Sequence, residues 1–156
     1  MALLRLASAG LETPPSSAET AGSFDPDALG ALLHKVQSYH PQADTELIER
    51  AFAYAHTMHR GQMRKSGDPY FIHPVSVATI IAEMRLDALS VSAALLHDVV
   101  EDTPSSLSDI EAQFGAEVAF LVDGVTKLGR VNFTSKEDQQ AESFRKMLVA
   151  MARDVR

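Results

Sequence analysis

Two short stretches place ionisable groups where apolar surface is expected. In "GDPYFIHPVSVATIIAEM" His73 stands just before Pro74, and in "AALLHDVVEDT" an apolar run ends in His97, Asp98, Glu101 and Asp102. Imidazole and carboxylate are side chains that hold divalent cations through nitrogen and oxygen. His97 and Glu101 are four residues apart, as are Asp98 and Asp102, so on a continuous helix each pair would stack along one face. Leu95, Leu96, Val99 and Val100 would fix that helix on a core. Carboxylates so close repel one another unless a cation lies between them. A divalent ion held by neutral His97 and an oxygen of Asp98 resolves the repulsion. Such an ion would acidify a bound water.

The chain around these stretches has 156 residues, about one domain, and a chain of this size buries a core without covalent staples. It contains no cysteine, which removes disulfides and thiolate metal sites and leaves nitrogen and oxygen ligands only. A net charge of −7 argues against a nucleic-acid binder, which needs a basic stripe to neutralise phosphates. Arg60, Arg64 and Lys65 nevertheless form a local basic patch suited to a small anionic ligand. No apolar run approaches the roughly 20 residues that cross a bilayer, so no membrane span is expected and the location expected is cytoplasmic. The opening "MALLRLASAG" has a short apolar segment interrupted by Arg5, which reads as a floppy leader rather than a signal peptide.

The elements that must position the ionisable groups read as helices throughout. Residues 1–23 are rich in Ala, Ser, Pro, Thr and Gly and suit a disordered leader. A first helix opens at Asp25-Pro26 and is stopped by Pro41. A second opens at Asp44 or Thr45 and ends near Gly61, before a loop marked by Gly67 and Pro69. "HPVSVATIIAEM" restarts a helix with His73 at its entrance, and "DALSVSAALLHDVVED" is the most apolar helix, ended by Thr103-Pro104. "SLSDIEAQFG" and "AEVAFLVDGVTKLG" form a short and a longer helix divided at Gly115, and "SKEDQQAESFRKMLVAMARDVR" forms a last one. No convincing alternation or repeat is present, so the class is all-α.

Four ordered blocks, "RKSGDPYFIHP", "LLHDVVEDT", "VDGVTKL" and "AESFRKMLVAMARDVR", resemble the N-terminal hydrolase domain of the RelA/SpoT homologue family over roughly residues 44–156. The resemblance implies an HD-domain helical bundle over residues 24–156 that holds Mn2+. It further implies removal of the 3′-pyrophosphate from the guanosine tetra- and pentaphosphates ppGpp and pppGpp. Carried over to this chain, His73, His97 and Asp98 are implied as metal ligands, and Glu101 and Asp102 as the acidic pair that positions and deprotonates the attacking water. Arg64, Lys65 and Ser66 match the segment that meets the nucleotide, with Arg64 over the guanine. A guanidinium on a purine face gains cation–π and dispersion contact, and a neighbouring ammonium suits a polyphosphate.

One departure from the family pattern stands out. After "MARDVR" the family continues to a further aspartate that serves as fourth ligand, whereas this chain stops at Arg156, and Asp154 lies too early to replace it. A partial hydrolase domain with little or no activity alone is therefore expected. The alternatives are an HD-type phosphohydrolase acting on another nucleotide and a non-catalytic nucleotide-binding regulatory module. His56 and His59 stand three apart at metal-binding spacing, but the resemblance puts no ligand there, and His59 reads as packing or loop anchoring. Met147, Leu148 and Met151 read as a core stripe, and Lys127 as a cation at a helix C-terminus.

Overall fold

The computed structural model describes residues 24–128. The leader at 1–23, the helix expected from Ser135 and the side chain of Lys127 lie outside the described residues. The described chain forms α1 (Pro26–Tyr39), α2 (Thr45–Met58), α3 (Ile72–Glu83), α4 (Ala88–Leu96), α5 (Val99–Asp102), α6 (Leu107–Phe114) and α7 (Ala116–Leu128). An isolated bridge between Met63 and Pro69 is the one β-type pairing among the described residues. The fold is all-α, as expected, and no helix among the described residues is long and apolar enough to cross a membrane.

Local chemistry explains most of the helix starts. Asp25, Asp44, Asp87 and Ser106 each accept a hydrogen bond from a backbone N–H in the first turn of the helix that follows, satisfying donors that have no partner within the helix. Ser106 and Asp109 do so reciprocally. Gly115 separates α6 from α7 at φ +92°, a left-handed conformation that glycine adopts without strain. α3 begins at Ile72, one residue earlier than expected, so Pro74 is its third residue. Its missing N–H falls where the first turn has no acceptor to offer.

α4 is the axis of the domain. Val91 and the run Ala93–Leu96 are fully buried, and α4 packs against α2, α3 and α7. Ala88, Ser90, Ser92, Ala93 and Ala94 keep its girth small, so three neighbours can approach it at once. His97 and Asp98 emerge from the end of this helix and inherit its rigidity.

The expected continuous helix through "HDVVED" is corrected. α4 stops at Leu96, a turn covers His97 and Asp98, and α5 starts at Val99. The cause is a side-chain competitor, because His97 Nδ1 lies 2.6 Å from the Ala94 carbonyl that the Asp98 N–H would otherwise reach. Asp98 takes φ −94°, ψ −6°, the bridge region between helix and strand. Regular hydrogen bonding resumes with Asp102 N–H to the Asp98 carbonyl and Thr103 N–H to the Val99 carbonyl.

Because α4 carries the end of the site, a cavity cut into it is expected to cost as much as a central core cavity. Leu95→Ala should lower unfolding free energy by roughly 2–5 kcal/mol, read from urea denaturation. A loss under ~0.5 kcal/mol, the range of surface substitutions, would contradict α4's role as axis.

Candidate metal centre

The loop between α2 and α3 is closed on itself at its neck. Tyr70 N–H donates to the Gln62 carbonyl at 2.9 Å and Arg64 N–H to the Asp68 carbonyl at 2.7 Å, on either side of the Met63–Pro69 bridge. Gly61 and Gly67, at φ +78° and +91°, make the tight bends. Tyr70 and His73 therefore leave the loop in fixed register, and His73 N–H is held by the Tyr70 carbonyl at 3.0 Å.

His73, from the first turn of α3, meets His97 and Asp98 from the α4–α5 turn. One ligand atom from each lies within 4.8 Å of the others, and all three residues are buried. Asp98 Oδ2 is 3.0 Å from His97 Nε2 and 3.4 Å from His73 Nε2. Donors bound to one ion at about 2.0–2.2 Å stand about 3.0–3.5 Å apart, so this spacing fits a shared cation.

Hydrogen-bond logic strengthens the fit. A carbonyl only accepts, so the 2.6 Å contact with Ala94 requires His97 Nδ1 to donate. In neutral imidazole that leaves Nε2 with a lone pair, and this buried atom has no aligned hydrogen-bond partner while facing Asp98 Oδ2. Two electron-rich atoms 3.0 Å apart in a buried site require a proton or a cation between them. The backbone carbonyl behind His97 is the outer partner that metal-bound histidines usually have. The donor set, two imidazoles and a carboxylate without thiolate, fits a divalent first-row ion.

Charge in the site follows the same logic. Burial pushes the His97 pKa down, but Asp98, the Ala94 carbonyl and Glu101 outweigh it and the net shift is upward. Burial pushes Asp98 up, yet His97, His73 and Tyr70 hold its carboxyl well below the usual range. Asp102 is a surface residue whose carboxylate turns back to accept from the Tyr70 hydroxyl at 3.1 Å. Partial burial and the Asp98 charge raise its pKa. Glu101 is exposed on α5, within electrostatic reach of His97.

Arg64, Lys65 and Ser66 occupy the tip of the loop whose neck carries Tyr70. Arg64 is half-buried and Lys65 exposed, while Ser66 Oγ donates to Asp68 Oδ2 at 3.0 Å. Sequence reasoning passed over Tyr70, whose hydroxyl reaches Asp98 Oδ2 at 2.6 Å as well as Asp102. It also passed over Gln62, whose amide donates to the Asp102 carbonyl at 2.8 Å while its Oε1 faces His59 Nδ1 at 2.9 Å. The only advance signal was the spacing of Tyr70 three residues before His73. His59 thus anchors the loop, and burial lowers its pKa against the opposing pull of Gln62, Asp98 and Asp102. A separate cavity of about 700 Å3 opens between Phe24, His56, Arg60, Phe71 and Ile80. None of His73, His97 and Asp98 lines it, so chemistry and not cavity size identifies the centre.

The two opposed shifts predict how stability without metal depends on pH. Asp98, with a depressed folded pKa, stabilises above its unfolded value of about 3.9 and loses that effect as pH falls through the folded value. His97, with a raised folded pKa, stabilises fully below about pH 6.5 and loses that effect as pH rises through the folded value. In EDTA the stabilisation from this pair should be complete between about pH 4 and 6.5 and fall above, against a gain toward pH 6.5 from His59, whose folded pKa is lowered. A divalent ion competes with the same proton, so its affinity should rise over that upper window. Calorimetric melts across the range check both, and a melting temperature that climbs above pH 6.5 in EDTA would contradict the His97–Asp98 pairing.

Comparison with known proteins agrees with this architecture. The HD domain family matches residues 51–156. The bifunctional (p)ppGpp synthase/hydrolase SpoT of Escherichia coli is 50% identical over 126 residues, 81% of this chain and 18% of the relative. A GTP pyrophosphokinase of Myxococcus xanthus is 48% identical over 124 residues, 78% of this chain and 16% of the relative. The GTP pyrophosphokinase rsh of Brucella melitensis is 46% identical over 125 residues, 80% of this chain and 17% of the relative. The chain thus spans less than a fifth of the length of these relatives. It belongs to the HD domain family and, within it, to the RelA/SpoT homologues.

Proposed function

We propose that this chain is the N-terminal part of an HD-type hydrolase domain, residues 24–156, whose reaction is Mn2+-dependent removal of the 3′-pyrophosphate from ppGpp and pppGpp. The observation that carries the reading is the buried convergence of His73, His97 and Asp98, an N/O donor set beside an acidic pair. Relatives about half identical to the chain support the substrate, since one from Escherichia coli O157:H7 is named guanosine-3′,5′-bis(diphosphate) 3′-pyrophosphohydrolase. Other relatives are named for GTP pyrophosphokinase activity, but a histidine and carboxylate centre suits hydrolysis.

His73 Nε2, His97 Nε2 and an Asp98 carboxylate oxygen would hold the ion. When bound, it supplies Lewis acidity that activates water and offsets charge on the phosphoryl group. Glu101, exposed on α5, takes the proton from the attacking water. Asp102, with its raised pKa, orients that water through the carboxylate tied to Tyr70. The water oxygen bonds to phosphorus as the P–O3′ bond breaks, and the 3′ oxygen takes up the proton that Glu101 received, leaving GDP or GTP and pyrophosphate. Arg64 lies over the guanine face, and Lys65 and Ser66 meet the nucleotide's polar groups. The net charge of −7 argues against direct nucleic-acid binding by this segment. A chain without cysteine or a long apolar helix in its described part suits the cytoplasm, where guanosine nucleotides are found.

Pyrophosphate release from ppGpp with Mn2+ tests the reading, on this chain and on the chain extended by whatever its coding sequence supplies after Arg156. The extended chain should be active. Glu101→Gln should lower kcat by roughly 10²–10⁴-fold with Mn2+ affinity kept, whereas His97→Ala should lose both. Equal turnover of GTP, dGTP or a cyclic dinucleotide by the extended chain would contradict the substrate. Full activity of Glu101→Gln would contradict the base.

A further inference from the structure

Tyr70 touches both halves of the proposed machinery through its hydroxyl. A phenol carries one proton, and this one has two anionic acceptors, Asp98 Oδ2 at 2.6 Å and Asp102 Oδ2 at 3.1 Å. Without a donor between them those carboxylates would repel and separate. The shorter contact marks a charge-assisted bond to the oxygen that also faces both imidazoles. Behind the ring, Tyr70 N–H is bonded to the Gln62 carbonyl, and the Gln62 amide reaches the Asp102 carbonyl. The residue is therefore clamped to α5 from both sides, at the neck of the loop that carries Arg64 and Lys65.

We propose that Tyr70 is a positioning residue of this centre, its one phenolic proton fixing metal-ligand Asp98 and water-orienting Asp102 relative to each other and tying both to the basic loop. The inference rests on the metal-centre reading above, and its test is independent of the substrate. Groups that orient metal ligands from outside typically govern metal affinity or activity by about 10–100-fold. Tyr70→Phe keeps the ring and removes only the O–H.

The experiment is a Mn2+ titration of the full chain followed by calorimetry and by tyrosine ultraviolet difference absorbance. The chain has no tryptophan and three tyrosines. The other two, Tyr39 and Tyr54, bond the Leu86 carbonyl and Ser105, so a metal-induced tyrosine signal should come from Tyr70. The wild-type chain should show that signal. Tyr70→Phe should lack it and bind Mn2+ about 10–100-fold more weakly, while still unfolding in one cooperative transition in EDTA at a melting temperature lowered by the lost hydrogen bond to Asp98. Affinity within twofold of wild type would overturn the proposal. So would Mn2+ binding that leaves the wild-type tyrosine spectrum unchanged, a result that decides the matter even if Tyr70→Phe does not fold. A wild-type chain that takes up no Mn2+ overturns this inference together with the metal reading. The predicted loss of affinity in a protein whose extended form leaves ppGpp intact upholds Tyr70's role and defeats only the substrate.

Discussion

One oxygen atom organises this domain. Asp98 Oδ2 is approached by two imidazole nitrogens and a phenol, inside a core that gives a carboxylate little solvent. An unpaired charge there would cost several kcal/mol, so the surrounding elements must deliver compensating groups accurately. α4 brings His97, α3 brings His73, and the closed loop brings Tyr70. The helix break at His97 is part of the same device. By taking the Ala94 carbonyl, the imidazole ends α4 and turns its other nitrogen toward Asp98. One hydrogen bond thus sets both backbone path and ring orientation.

A second consequence is that, under the proposed function, recognition and chemistry share a support. The loop holding Arg64, Lys65 and Ser66 has no regular secondary structure, yet Gln62 and Tyr70 at its neck are bonded to α5. A nucleotide that pulled on the loop tip would act on groups already joined to the acidic pair. Loops held this way provide reach without losing register, which hydrolytic sites need because small displacements of reacting groups are costly.

Legibility in the sequence followed the range of the interactions. The starts at Asp25, Asp44 and Ser106 and the division at Gly115 were readable because each depends on residues within one turn. The uninterrupted helix through His97 was misread because spacing of four residues describes where side chains would sit, and cannot show that a ring would compete for a backbone carbonyl. Tyr70 and Gln62 were missed because their partners lie 28 to 40 residues away. The meeting of His73 with His97 and Asp98 was likewise invisible to periodicity. It was anticipated from the resemblance of ordered blocks, which carries long-range information that a single chain's patterning lacks.

Anomalous diffraction from crystals of the chain soaked in Mn2+ measures the central claim most directly. The account predicts one strong peak at about 2.0–2.4 Å from the inward nitrogens of His73 and His97 and from the Asp98 carboxylate, roughly the metal–ligand range for nitrogen and oxygen donors. Clear density for all three side chains, with no peak among them at saturating Mn2+, would mean that a proton alone balances this buried carboxylate and that the cluster is structural.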